Sequence, residues 1–267
     1  MVRQLVSILA ISLLLTSAAI NDDQVSTEAS RYWPQWRGPL SAGVAPYADP
    51  PVEWSESKNI RWRIPMPGIG HSTPIVWGNH VFITAAVPYG DVLDPKYSGA
   101  LGSHDNLPVT RHYEFMALAL NRHNGKILWQ RIIHKELPRE GGHFTASFAS
   151  NSPVTDGESL FVFFGSHGLY CLGLDGVVQW EKNLGQMQTK HGHGEGSSPV
   201  LHDETLIINW DHEGQSFIAA FDKYTGQQLW KVKREEVTSW ATPIVVEVKG
   251  KPQVIASGTN RVRGYDL

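Results

Sequence analysis

Four times along the chain, small or polar residues lead into a proline, after which apolar and polar positions alternate. The segments are His71-Ser72-Thr73-Pro74-Ile75-Val76, Asn151-Ser152-Pro153-Val154, Ser197-Ser198-Pro199-Val200 and Ala241-Thr242-Pro243-Ile244. Alternation with a period of two marks β-strands. The prolines lie 79, 46 and 44 residues apart. Three of the units close on a second pattern, an apolar strand, a turn and a tryptophan: Leu118-Ala119-Leu120-Asn121 to Trp129, Leu172-Gly173-Leu174-Asp175-Gly176 to Trp180, and Ala219-Ala220-Phe221-Asp222 to Trp230. These tryptophans are spaced by 51 and 50 residues.

Each unit reads as four short antiparallel strands. In the third, the pattern predicts strands over 199–201, 205–210, 216–221 and 227–232. Gly78-Asn79, Asp156-Gly157 and Lys249-Gly250 close the first hairpin of their units, and Asn124-Gly125, Asp175-Gly176 and Thr225-Gly226 close the last. Such pairs supply the positive φ that tight hairpins need. The terminal tryptophan is large and flat enough to fill the wedge between neighbouring sheets. A four-stranded unit of about 45 residues that repeats radially is the signature of a β-propeller blade. The expected fold is therefore all-β, a propeller of four-stranded antiparallel blades, with about four blades present, starting near 72, 151, 197 and 241.

Two places break the pattern. Between Thr84 and Tyr113 the first unit carries about thirty residues where the others carry a few, and Arg261 to Leu267 matches a third strand and stops. The fourth blade is thus expected to be unfinished and the chain to be part of a longer ring, since open sheet edges are normally covered. Residues 20–59 read as an extended Pro- and Trp-rich segment, and Arg61 to Ile64 as an outer strand that completes the last blade of the ring by pairing with sequence absent from this chain. Residues 1–19 read as a signal peptide: Arg3 precedes an uncharged run from Leu5 to Ile20, and Ser17-Ala18-Ala19 provides the small residues for cleavage. The run is too short for a stable membrane span. A periplasmic or secreted protein is expected.

Composition adds exclusions. Of 267 residues, 41% are hydrophobic and 18% charged, and the net charge is −3; a balance so near neutral excludes an electrostatically driven nucleic-acid binder. Ten Trp, eight Tyr and nine Phe suit a β-rich core. Cys171 is the single cysteine, so no intrachain disulfide forms.

The Asp-x-x-Thr-Gly-x-x-x-Trp run from Asp222 to Trp230, its looser copy from Asn121 to Trp129, and the recurring Ser-Pro strand starts resemble the pyrroloquinoline-quinone-type (quinoprotein-like) propeller repeat. The likeness covers about residues 60–267, and Trp33-Pro34-Gln35-Trp36-Arg37-Gly38-Pro39 resembles the opening of exported bacterial members. The superfamily includes quinone-dependent dehydrogenases, an outer-membrane assembly lipoprotein and exported proteins of unassigned role. The resemblance implies seven or eight blades in a complete ring. For the dehydrogenases it implies a quinone held over a vicinal disulfide beside calcium, with an Asp as base; a chain with one cysteine lacks that disulfide, and no lipidation cysteine follows the leader. No cofactor is therefore expected, with pyrroloquinoline quinone plus calcium as the alternative.

Candidate chemistry gathers before and within the third unit. His191 and His193 alternate in Lys190-His191-Gly192-His193-Gly194-Glu195, a spacing that turns both imidazoles the same way and suits a transition metal. In a propeller, the loops that lead into the innermost strand and out of the next strand share one end. That places His193, Glu195, Asp211 and His212 together, beside His71, Asn151 and Trp240, with Arg261 adding a cation. Convergent loops at one end are where ligands bind. The expected function is an exported binding or scaffold module for a protein, peptide or glycan partner. The alternative is a quinone-dependent oxidoreductase or a degenerate relative of one.

Overall fold

The computed structural model describes residues 28–267; the expected signal peptide lies outside them. The strands in chain order are β1 (Ile75–Trp77), β2 (His80–Tyr89), β3 (Asn106–Leu107), β4 (His112–Asn121), β5 (Ile127–Glu136), β6 (Gly142–His143), β7 (Val154–Thr155), β8 (Ser159–Phe163), β9 (Leu169–Gly173), β10 (Val178–Lys182), β11 (Val200–His202), β12 (Thr205–Trp210), β13 (Phe217–Asp222), β14 (Gln228–Lys233), β15 (Ile244–Val248), β16 (Lys251–Ser257) and β17 (Val262–Asp266). They form antiparallel meanders in the orders β1-β2-β4-β5, β7-β8-β9-β10, β11-β12-β13-β14 and β15-β16-β17. Three four-stranded blades and a three-stranded fourth are thus present, each opening three residues after the predicted start.

The blades stack face to face because their central strands are apolar on both sides, as strands covered on both faces must be. Along β8, Leu160 and Val162 pack with Phe82, Phe115 and Ala117 of the first blade. Phe161 and Phe163, pointing the other way, pack with Leu206, Ile208, Phe217 and Ala219 of the third. The third blade repeats the device, since Ile207 and Ile218 face Val254 and Ala256 of the fourth.

Tryptophan fixes the outer seams. Trp129 Nε1 donates to Leu174 O at 2.7 Å and Trp180 Nε1 donates to Lys223 O at 2.9 Å, each reaching the last hairpin of the next blade. The ring lies so close on that turn that a Cβ at Gly176 would fall 2.9 Å from Trp129, and one at Gly226 would fall 2.8 Å from Trp180. Both glycines have positive φ, at 81° and 67°, so they serve the turn and the ring above it together. Trp62 makes the same contact with the first blade, donating to Arg122 O at 2.9 Å. Residues 61–64 themselves are not a strand: the expected outer strand has its tryptophan in place but no ladder partner among the described residues.

Two further expectations change. The long first-blade excursion is shorter than predicted, because β2 and β4 stay paired out to Tyr89 and His112 and leave residues 90–111. Within it, β3 crosses to pair with β6. The described residues that precede residue 60 run as a series of turns and bends rather than extended chain. Arg37, Gly38, Ser41 and Gly43 all take positive φ, and among these described residues only Trp33 joins a sheet, through a bridge to Val76.

Candidate functional site

At one end of the blades, the chain enters each innermost strand and turns from its second strand to its third. A cavity of about 130 Å³ opens there, with Ile69, Ala86, Pro108, Phe148, Phe164 and Met187 among its apolar lining and Arg139, Glu140, His143, Asn151, His167 and Glu195 among its polar lining. The 90–111 excursion is tied to this rim. Ser98 Oγ donates to Glu140 Oε2 at 2.8 Å and Asn106 Nδ2 donates to His191 O at 2.7 Å.

Glu195 is the most perturbed group at the site. Its Oε2 accepts the Ser166 N–H at 2.6 Å and its Oε1 accepts the Ser166 hydroxyl at 2.5 Å. The same hydroxyl accepts the Met187 N–H at 2.7 Å, which holds Ser166 in place. Gly165, with φ of 58°, makes room, because a Cβ there would overlap the carboxylate. Burial pushes the Glu195 carboxyl up to about 7, against the opposing pull of the two Ser166 bonds. A carboxyl poised there both accepts and donates hydrogen bonds near neutral pH.

All eight residues expected on the binding face fall at this end of the blades, but the structure sorts them. His193 and Glu195 flank Gly194, whose carbonyl accepts Trp240 Nε1 at 2.7 Å, so these three sit together. Asn151 lines the cavity with its amide committed to Ser197 O at 2.6 Å. His71 is exposed and anchors by its backbone N–H to Ala149 O at 3.1 Å. Asp211 faces inward, held bidentate by Arg234 at 2.7 and 2.9 Å with both side chains fully buried. His212 is buried too, accepting the Gln188 and Gly214 N–H groups at Nδ1, both at 3.2 Å. Both fasten loops rather than face solvent. Arg261 stays exposed on its hairpin, 4.0 Å from Glu235.

His191 and His193 do lie side by side, with ring centroids 5.3 Å apart. His104 from the excursion and His143 from β6 join them, at 4.8 Å each from the His193 ring. One nitrogen of each sequence-expected ligand faces a backbone carbonyl: His191 Nδ1 lies 3.2 Å from Leu101 O and His193 Nε2 lies 3.3 Å from His104 O. Among the described residues, the His and carboxylate side chains that do converge are His134, Glu136 and His167. Sequence reasoning missed His104, His143 and Ser166 because each reaches the site from a different blade or loop. The alternation of His134 and Glu136 near the end of a strand was a usable signal.

The fold and the rim together define a β-propeller of pyrroloquinoline-quinone-type repeats. The family described as outer membrane protein assembly factor BamB matches residues 116–267, more than half of the chain, and the protein belongs to that family. No curated protein matches the chain. Solved structures similar to it include quinohemoprotein alcohol dehydrogenase from Comamonas testosteroni, at 12% identity and TM-score 0.47 over 80% of this chain and 29% of that one. The quinohemoprotein alcohol dehydrogenase ADHIIG from Pseudomonas putida HK5 aligns at 11% identity and TM-score 0.45 over 79% of this chain and 27% of its own. BamB from Moraxella catarrhalis aligns at 13% identity and TM-score 0.37 over 70% and 61%. The chain spans under a third of the length of the two dehydrogenases.

Proposed function

We propose that this protein is an exported binding module, acting in the periplasm or outside the cell, whose loop-bearing end takes up an apolar side chain from a protein or peptide partner. The observation that supports this reading is the cavity itself. At about 130 Å³ it is close to the roughly 150 Å³ space that holds a benzene-sized group, and its apolar walls favour a peptide anchor over a glycan. Exposed apolar side chains stand at the same end: Ile69, Tyr97, Leu101, Leu107, Phe144 and Trp240. A concentration of such residues marks an interaction surface. The family description, an assembly factor, points the same way. Among the described residues no helix is long and apolar enough to cross a membrane.

Among the described residues the quinone-dependent alternative has less support than the peptide-binding reading. The cavity is under half of the roughly 300 Å³ at the small end of ligand pockets. Cys171 is buried with its thiol pushed up to about 11 by burial. Asp211 and Glu236, buried acids of the third and fourth blades, are paired with Arg234 and Arg263.

The test is a peptide array probed with the whole chain and with Ala146→Phe, which fills the cavity. Peptides carrying an aromatic or Leu anchor should bind the wild type and lose at least tenfold affinity for the variant. Binding indifferent to Ala146→Phe, or a rise in Tm with pyrroloquinoline quinone plus Ca²⁺, would overturn the reading.

A further inference from the structure

We infer that the seam between the first two blades holds a divalent transition-metal ion, Zn²⁺ by ligand chemistry, through His134, Glu136 and His167. His134 and Glu136 are two residues apart near the end of β5, so they share one face of that strand. His167 closes the 3-10 turn Gly165–His167 between β8 and β9 of the next blade. Glu136 Oε2 lies 3.1 Å from His134 Nε2 and 2.7 Å from His167 Nδ1, and the three ligand atoms fall within 4.8 Å of one another.

Tetrahedral coordination with bonds of about 2.0–2.1 Å separates ligand atoms by about 3.4 Å. The ion is admitted when the Glu136 oxygen backs away by under about 1 Å and the two imidazole nitrogens, up to 4.8 Å apart, close toward that spacing by rotation of the partly exposed His134 ring. Each ring then presents the tautomer that turns its lone pair inward, and two neutral imidazoles with one carboxylate give the donor set that zinc favours over calcium or magnesium. Phe115 packs under His167 with ring centroids 4.2 Å apart, which restrains that ligand. His134 and Glu136 are 36% and 39% exposed, so an ion can reach them. Three protein ligands leave one position for water or a small anion. The ion adds a metal link between two blades otherwise joined by apolar packing and hydrogen bonds such as Trp129 Nε1 to Leu174 O, and His167 also lines the cavity.

The test titrates Zn²⁺ into the whole metal-free chain by calorimetry and reads Co²⁺ uptake by its d–d absorption. One equivalent should bind, raise Tm and give visible bands without thiolate charge transfer. Glu136→Gln and His167→Asn should each weaken binding by at least about tenfold, while His191→Ala with His193→Ala leaves it unchanged. His134→Ala, at an accessible position, should keep the metal-free Tm and lose the same affinity, which keeps the test open if a His167 variant fails to fold. No saturable uptake, or uptake that survives His134→Ala and Glu136→Gln and disappears with the His191 and His193 variant, overturns the assignment.

Discussion

Ser198 Oγ accepts the backbone N–H of Ser152 at 2.9 Å, joining residues 46 positions apart at the openings of neighbouring blades. The bond is one link of a series. Ser152 Oγ accepts the Thr73 N–H at 2.9 Å, and Thr242 Oγ1 accepts the Ser198 N–H at 3.0 Å. From the second blade to the fourth, the hydroxyl residue before the proline thus satisfies the N–H of its counterpart one blade earlier. This explains why Ser or Thr stands there: the proline pushes its predecessor into extended conformation, and the N–H of that residue, buried at Ser152 and Ser198, then needs a partner from outside its own sheet.

Removing one link should be measurable. Ser198→Ala leaves the N–H of Ser152 unsatisfied, and Ser152 and Ser198 are 2% and 3% exposed, so the expected cost is about 1–3 kcal/mol in denaturant unfolding. Thr242→Ser keeps the acceptor and should cost under about 0.5 kcal/mol. Equal losses from the two variants would dissolve the hydroxyl series as an explanation of the Ser-Pro and Thr-Pro starts.

The tryptophan seam gives a second check. Gly176 and Gly90 have similar positive φ, 81° and 76°, but only Gly176 lies under a tryptophan; nothing lies within 4 Å of a Cβ at Gly90. Alanine at either position carries the cost of the left-handed conformation, roughly 1 kcal/mol. Gly176→Ala should lose about 1–3 kcal/mol more, because Trp129 must move. Thermal melts of the two variants decide it; matched melting temperatures would show that the turn glycine has no role in the seam.

The blades were legible in the sequence because their determinants are local and repeated. The pre-proline hydroxyls, the turn glycines and the closing tryptophans recur at nearly fixed intervals, so β12 was predicted with its observed bounds and β11, β13 and β14 one residue early. The site was only partly legible. Topology correctly placed Glu195 and Trp240 at the loop-bearing end, but whether a polar residue there faces solvent depends on partners far away in sequence. Asp211 looks like a surface acid until Arg234 encloses it, and His134, Glu136 and His167 meet only because two blades are juxtaposed. The 61–64 segment carries the tryptophan of an outer strand, with Trp62 seated on the first blade, while the strand it was expected to pair with is not among the described residues.

The Glu195 carboxyl makes stability depend on pH in a stated direction. An acid whose folded pKa is raised above its ordinary 4.5 to about 7 binds its proton more tightly in the folded state, so stability falls as pH rises from 4.5 to 7 and levels off above. Burial holds His167 and His212 below their usual range; those groups act oppositely, losing stability as pH falls. The comparison with Glu195→Gln isolates the carboxyl. The stability of the variant relative to wild type should grow between pH 4.5 and 7 by up to about 3 kcal/mol, measured by urea unfolding. A difference that does not vary with pH would show that Glu195 ionises as freely as in the unfolded chain.

Binding at the loop-bearing end is the central claim, and site-directed photo-crosslinking in the native host tests it most directly. A photoreactive residue placed at Phe144 stands beside the cavity, and one at Tyr224 stands at the opposite end of the blades; both positions are exposed. The account predicts a discrete crosslinked partner from Phe144 that is lost when Ala146→Phe fills the cavity, and none from Tyr224. A partner captured from Tyr224 instead, or one from Phe144 that is insensitive to Ala146→Phe, would contradict it.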